Sequence, residues 1–158
     1  MSGTVVEICI APSAGVEPAP VAEALLEADK GIVGDRYYRQ SGTFSRKLKD
    51  KPDWHATLIE LEEVERFNFQ HGRDTPAASF RRNIITKGIR LNELVGRRFA
   101  IGEAVFEGMR LCEPCAHLGS LLGAEVVKGM VHRAGLRARI VAGAPIHPGD
   151  RIRVLTAP

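Results

Sequence analysis

The stretch R-R-F-A-I-G-E-A-V-F-E-G-M-R-L-C-E-P-C-A-H-L, Arg97 to Leu118, decides how the rest of the chain is read. Arg97 to Ile101 and Ala104 to Leu111 are two β-type runs joined by Gly102-Glu103, which predicts a compact hairpin. The second run leads directly into Cys112, and Pro114, which has no N–H for a ladder, breaks it just before Cys115. The hairpin therefore delivers two of the chain's three cysteines onto a turn, with His117 two residues beyond the second. A thiol in that position can face solvent or a ligand.

The same texture continues outward. Thr4 to Ile10 (T-V-V-E-I-C-I) is β-branched and predicts a buried strand in which Cys9 is a small core residue. Ala11 to Gly15 turns the chain. Pro20 to Lys30 has helix formers at Val21 to Leu26, yet alternation through Leu25, Glu27 and Asp29 suits an edge strand, and both readings stay open. Arg39 to Asp53 is polar and unpatterned and reads as a long loop, of the lid or binding type or simply mobile. His55 to Glu60 predicts a short strand. Leu61 to Gln70 predicts a helix with Leu61, Val64 and Phe67 on one stripe, three glutamates near its start and Gly72 as its stop. Leu91 to Gly96 reads as a single helical turn or a loop. Short helices are expected around Leu118 to Leu122 and Glu125 to His132, then strands at Leu136 to Ala142 and Arg151 to Leu155. Six or more short strands with scattered helices predict a mainly β fold, a β-barrel with a few short α-helices, as one domain over residues 1–158.

The totals narrow the function. The chain has 158 residues, 44% hydrophobic and 26% charged, ordinary for a soluble globular protein. A net charge of +3 is a mild basic excess that suits a small anionic ligand. There is no lysine run and no aromatic-interleaved basic stripe, so no nucleic-acid partner is expected. No apolar run approaches the roughly 20 residues of a membrane span, so no membrane partner is expected either. The start M-S-G-T-V-V-E-I lacks the basic region and long apolar stretch of a secretion signal, and three cysteines give no disulfide framework. The expectation is a cytoplasmic protein with reduced thiols.

Two further segments carry candidate site residues. In G-I-V-G-D-R-Y, Gly31 to Tyr37, paired glycines predict a tight bend that presents Asp35 and Arg36; the alternative is a local turn with a solvated arginine. In S-F-R-R-N-I-I-T, Ser79 to Thr86, Arg81 and Asn83 share one strand face while Arg82 takes the other. An arginine fork beside an amide matches a phosphate or a pterin edge, and a pair of surface arginines is the alternative. The cysteine turn admits four chemistries. Zinc would need His117 or His132 to complete Cys112-x-x-Cys115, and no second Cys-x-x-Cys exists. A thioredoxin-like dithiol wants a parallel βαβ context, whereas this one is antiparallel. A Cys-His hydrolase would need His117, His132 or His147 to meet Cys115. A single thiolate, as sulfur carrier or soft metal ligand, fits best.

Taken together, G-I-V-G-D-R-Y, H-A-T-L-I-E, R-R-N-I-I-T-K-G-I-R-L-N-E-L-V-G-R-R-F-A-I-G, R-L-C-E-P-C-A-H-L and A-G-A-P-I-H-P-G-D-R-I resemble, in that order, the MOSC domain. The name denotes the C-terminal domain of molybdenum cofactor sulfurase, and the likeness is to stand-alone bacterial-type members. The resemblance implies a β-barrel core and a defining cysteine, Cys115. In cofactor-holding members that thiolate ligates molybdenum, and in the sulfurase branch it is proposed to carry a persulfide. It further implies that Arg81 and Asn83 contact the pterin or its phosphate and that Arg36 is a basic contact. The implied cofactor is molybdenum cofactor, a small anionic pterin. The implied activity is reduction of N-hydroxylated substrates with an external electron-transfer partner. The alternatives are sulfur transfer from a pyridoxal-phosphate-dependent cysteine desulfurase into cofactor or metal-sulfur cluster maturation, or a non-catalytic anion-binding module. One departure is local: Pro12 precedes Ser13 where cofactor-binding relatives can carry a lysine before serine.

Overall fold

The computed structural model describes residues 2–38 and 52–155. From the N-terminus come β1 (Ser2–Ile10), β2 (Ala19–Pro20), β3 (Ala24–Glu27), β4 (Gly31–Ile32), β5 (Ala56–Glu60), helix α1 (Leu61–His71) and β6 (Ile84–Lys87). The second half runs β7 (Arg98–Ile101), β8 (Ala104–Leu111), α2 (Ala116–Leu122), α3 (Glu125–Gly129), β9 (Leu136–Ala142), β10 (Pro145–Ile146) and β11 (Arg151–Val154). Neighbouring strands follow the order β11-β7-β8-β9-β5-β6-β1, and β11 returns to pair with β1, closing a seven-stranded barrel. Closure leaves none of these seven strands as an edge.

All pairs around the barrel are antiparallel except β5 with β6, where Leu58 lies beside Ile84 and Ile59 beside Ile85. A parallel pair needs a crossover, and α1 supplies it. This explains why β5 is buried on both faces. Ala56 and Leu58 join the barrel interior with Val5, Ile8, Ile84, Phe99, Phe106 and Ile140. Ile59 instead meets Val64 and Phe67 of α1, along with Cys9, Phe80, Ile85 and Leu118, in a second core outside the barrel. The Phe67 side chain, fully buried there, contributes roughly 1.5–3 kcal/mol by leaving water. Gly72 ends α1 with φ 60°, a left-handed cap that glycine adopts without steric cost.

The hairpin is present, with β7 and β8 in register from Arg98↔Glu107 to Ile101↔Ala104 and Gly102 at φ 56° in the turn. One reading left open is now resolved, and one expectation needs correction. Pro20 to Lys30 contains no helix: β3 pairs with β10 and β4 in a small three-stranded sheet, with Leu26 buried and Leu25 exposed. Period-two burial prevails over helix propensity here. Arg81 and Asn83 do not share a strand face, because β6 begins only at Ile84. Arg81 ends a 3-10 turn (Ala77–Phe80) in the left-handed conformation, φ 65°, so the alternation argument does not reach it.

Of the long loop expected over Arg39 to Asp53, residues 39–51 lie outside the described residues. Its end is a 3-10 turn (Pro52–Trp54), and Asp53 there pairs with Arg110 of β8. Among the described residues no helix is long and apolar enough to cross a membrane.

Candidate functional site

β8 runs out at Leu111, and the backbone N–H of Cys112 donates to the Gly135 carbonyl at 2.8 Å, tying the turn to the start of β9. The Cys112 thiol is then 3% exposed, buried in the wall. Pro114 intervenes, and Cys115 emerges half-buried and extended (φ −127°, ψ 172°) ahead of α2, its thiol making no capping hydrogen bond. Cys9 is a core thiol pushed up to about 12 by burial and then by its hydrogen bond to Glu7, so it is inert as a nucleophile. Of the three thiols, Cys115 is the one that is not fully buried.

The turn is held from two sides. Arg82 is buried, and its guanidinium donates from Nε to the Ala134 carbonyl (2.9 Å), from Nη1 to Phe80 (3.1 Å) and from Nη2 to Cys112 (3.0 Å). Glu113, between the cysteines, accepts from the His132 backbone N–H at 2.7 Å and meets His132 Nδ1 at 2.5 Å. His132 takes φ 60° to present both groups at once.

A basic corner forms where β1 and the Gly34-Asp35 bend meet the 3-10 turn. Asp35, 1% exposed, accepts from Ala11 N–H at 3.1 Å and from Arg36 Nη1 at 3.2 Å. Arg36 Nη2 reaches the Arg81 carbonyl at 3.2 Å, and its guanidinium lies 4.8 Å from the centre of the Tyr37 ring. Arg81 Nη1 donates to the Val16 carbonyl at 2.8 Å. Arg81 Nη2 is buried with no hydrogen-bond partner among the described residues. Burial, then the nearby Arg36 charge, pulls the Arg81 guanidinium below its usual value, although an arginine stays charged throughout. The buried Asp35 carboxylate pairs with Arg36, and the exposed Glu17 carboxylate adds a second negative charge acting on Arg81.

Arg36 and Arg81 are thus brought together across 45 residues. Asn83 stands beside them with its amide engaged in the fold: Oδ1 accepts from Thr57 N (3.2 Å) and Oγ1 (3.1 Å), and Nδ2 donates to the Cys9 carbonyl (3.2 Å). It fastens β1 and β5 to the entry of β6. Arg36 is not the solvated arginine of a local turn, nor are Arg81 and Arg82 surface residues. The clamp made by Arg82 and Glu113 went unread, since neither adjacency nor period marks a side chain that bonds backbone carbonyls far along the chain.

Among the described residues no three His, Cys, Asp or Glu side chains are grouped to hold a metal ion, so a zinc site at Cys112 and Cys115 has no ligand set there. β8 lies antiparallel between β7 and β9, not in a βαβ unit. The rings of His132 and His147 pair with Glu113 and Glu23.

The MOSC domain model matches residues 45–153. No curated protein matches the sequence. Among solved structures, the YuaD protein from Bacillus subtilis superposes with a TM-score of 0.84 at 15% identity, covering 100% of this chain and 98% of that one. YiiM from Geobacillus stearothermophilus gives 0.74 at 15% identity over 98% of this chain and 75% of that one. YiiM from Escherichia coli gives 0.70 at 17% identity over 100% and 71%. At these identities the likeness is one of fold, and the sequence match over most of the length carries the assignment: the chain belongs to the MOSC domain family.

Proposed function

We propose that this protein binds a molybdenum–pterin cofactor, with the Cys115 thiolate as the protein's metal ligand and the Arg36–Arg81 corner receiving the cofactor's anionic end. The observation that carries the reading is the open Nη2 of Arg81. A buried donor without an acceptor costs on the order of 1–3 kcal/mol, and an arriving phosphate oxygen removes that cost with a charge-assisted bond. The donor set fits a metal that brings its other ligands with it: one half-buried soft thiolate, and no protein cluster among the described residues. When bound, the cofactor would supply two-electron chemistry for reducing N-hydroxylated substrates with electrons from an external partner.

The chain's own residues have simpler tasks. Arg82 and Glu113 fix the turn so that Cys115 projects from it. Asp35 orients Arg36, and Asn83 locks the strand entry from which Arg81 extends, so its part is positioning. The test is elemental analysis after expression in a cofactor-competent host. Molybdenum near one per chain is expected for the wild type, with loss in Cys115→Ala and retained fold by circular dichroism. Full molybdenum in that variant would sink the reading.

A second reading, a sulfur carrier loaded by a cysteine desulfurase, is favoured by the contrast between half-buried Cys115 and buried Cys9 and Cys112. Incubation with a desulfurase and cysteine would then add one sulfur atom to Cys115 by mass spectrometry. An unmodified thiol would count against it.

A further inference from the structure

At the seam where the barrel closes, β1 has a basic residue on either side. Thr4 lies opposite Lys87 of β6 on one flank and opposite Arg151 of β11 on the other. Val5, one residue on, is buried in the barrel interior, so Thr4 and its two partners face outward. Over this row lies a cavity of about 430 Å³, lined by Ser2, Thr4, Glu62, Lys87, Arg151 and two glycines. We infer that this cavity binds a phosphorylated polyol, a ligand of the sugar-phosphate type. Its phosphate sits between Lys87 and Arg151, and Glu62 accepts from a hydroxyl. The site shares no residue with the cysteine turn or the Arg36–Arg81 corner.

Lys87 and Arg151 make no ion pair among the described residues. By contrast, Arg98, Arg110 and Arg139 on the neighbouring strands pair with Glu107, Asp53 and Asp29. Two strand spacings set the backbones of Lys87 and Arg151 about 10 Å apart, and both side chains are long enough to close on one group over Thr4. Like charges on one row repel, and a shared oxyanion replaces that repulsion with two charge-assisted bonds. Glu62, in the first turn of α1, is the acid of the lining. Its Oε2 accepts from Gly88 N–H at 2.7 Å, which fixes the carboxylate, and Oε1 makes no hydrogen bond among the described residues. A bare phosphate gains nothing from that carboxylate, whereas a hydroxyl beside the phosphate gives it a donor. None of the lining side chains is apolar, so there is no wall for a flat ring and a polar body is what fits. The volume lies within the roughly 300–1,000 Å³ of small-molecule sites.

The experiment titrates the full chain by calorimetry, at fixed ionic strength, with glucose 6-phosphate, inorganic phosphate and glucose. Wild type should bind the sugar phosphate at least about tenfold more tightly than phosphate, and glucose not measurably. Lys87→Gln and Arg151→Gln each remove one charge-assisted contact and should weaken the sugar phosphate about tenfold. Both side chains are exposed, so these variants should keep the wild-type circular dichroism. Glu62→Gln keeps an oxygen for the Gly88 N–H. It should weaken the sugar phosphate while leaving inorganic phosphate unchanged or tighter. No measurable binding of the sugar phosphate by the wild type would overturn the inference. So would an affinity indifferent to Lys87 and Arg151, which is what binding at the Arg36–Arg81 corner would give. Inorganic phosphate bound as tightly as the sugar phosphate, or weakened equally by Glu62→Gln, would overturn it as well.

Discussion

Arg82 is buried with no carboxylate paired to it among the described residues, and three carbonyl oxygens within 3.1 Å stand in for the counter-charge. Those carbonyls belong to Phe80, Cys112 and Ala134, so one side chain joins the 3-10 turn, the cysteine turn and the approach to β9. Arg82→Ala would leave the three acceptors without their donor and should cost about 2–4 kcal/mol, read by urea denaturation. Arg82→Lys should recover only a minor part, because one ammonium cannot span the planar fork. A cost below about 1 kcal/mol for the alanine variant would show that water replaces the guanidinium. The same residue shows what was legible at this scale. R-R-N marked a basic segment by residue type, but the assignment of faces assumed a strand through Arg81. The positive φ of Arg81 breaks that assumption, and nothing local in S-F-R-R-N signals it. The position of Cys115 on a turn after β8 was legible because Pro114 cannot continue a β run, a rule acting between neighbours. The contact of Arg36 with Arg81 was not, because it is set by barrel closure.

Among the elements, strands with strong β-branched or alternating patterns, β1, β5, β7, β8 and β9, were legible nearly to the residue, and α1 by its stripe and its glycine stop. The two-residue strands were not, since each depends on a partner far along the chain. β9 shows how closely these elements pack. Gly135, at its entry, has φ 118°, and a Cβ there would lie 1.9 Å from the Leu58 carbonyl oxygen. Gly135→Ala must push β9 off β5 and strain the backbone, a cost of about 3 kcal/mol or more. Because the Gly135 carbonyl also holds Cys112 N–H, the cofactor reading proposed above expects the variant to lose molybdenum together with stability. His55 joins the same elements, its Nδ1 accepting from Ile140 N–H at 3.1 Å, which requires that nitrogen unprotonated. Burial lowers its pKa below the ordinary 6.5 and outweighs the opposing pull of Asp29 and Asp53. The unfolded chain therefore binds a proton as pH falls through 6.5 while the folded chain does not, and stability declines from there downward. His55→Asn, which keeps an acceptor in place, should flatten that slope in urea titrations at stepped pH. An unchanged slope would place the titration elsewhere.

At the scale of the molecule, the barrel is closed by strands from opposite ends of the chain. β1 and β11 meet with Ser2 opposite Arg153 and Thr4 opposite Arg151, and Gly149 N–H donates to the Val5 carbonyl at 2.7 Å. This seam borders β7 on one side and β6 on the other, while the cysteine turn hangs from β8 and β9. Ile152 sits in the seam, fully buried in the barrel interior. Ile152→Ala removes its buried methyl groups and leaves a cavity, which should cost about 2–5 kcal/mol. The site should respond differently from the fold. Below the midpoint of its thermal transition, the cofactor reading proposed above expects the variant to hold molybdenum in the same proportion to folded chain, since among the described residues no side-chain hydrogen bond of Arg82, Glu113 or Arg81 involves Ile152. Measuring metal per folded chain beside the urea midpoint decides it. A metal loss larger than the loss of folded protein would mean that the seam and the cysteine turn move as one unit, and that the barrel transmits strain around its circumference.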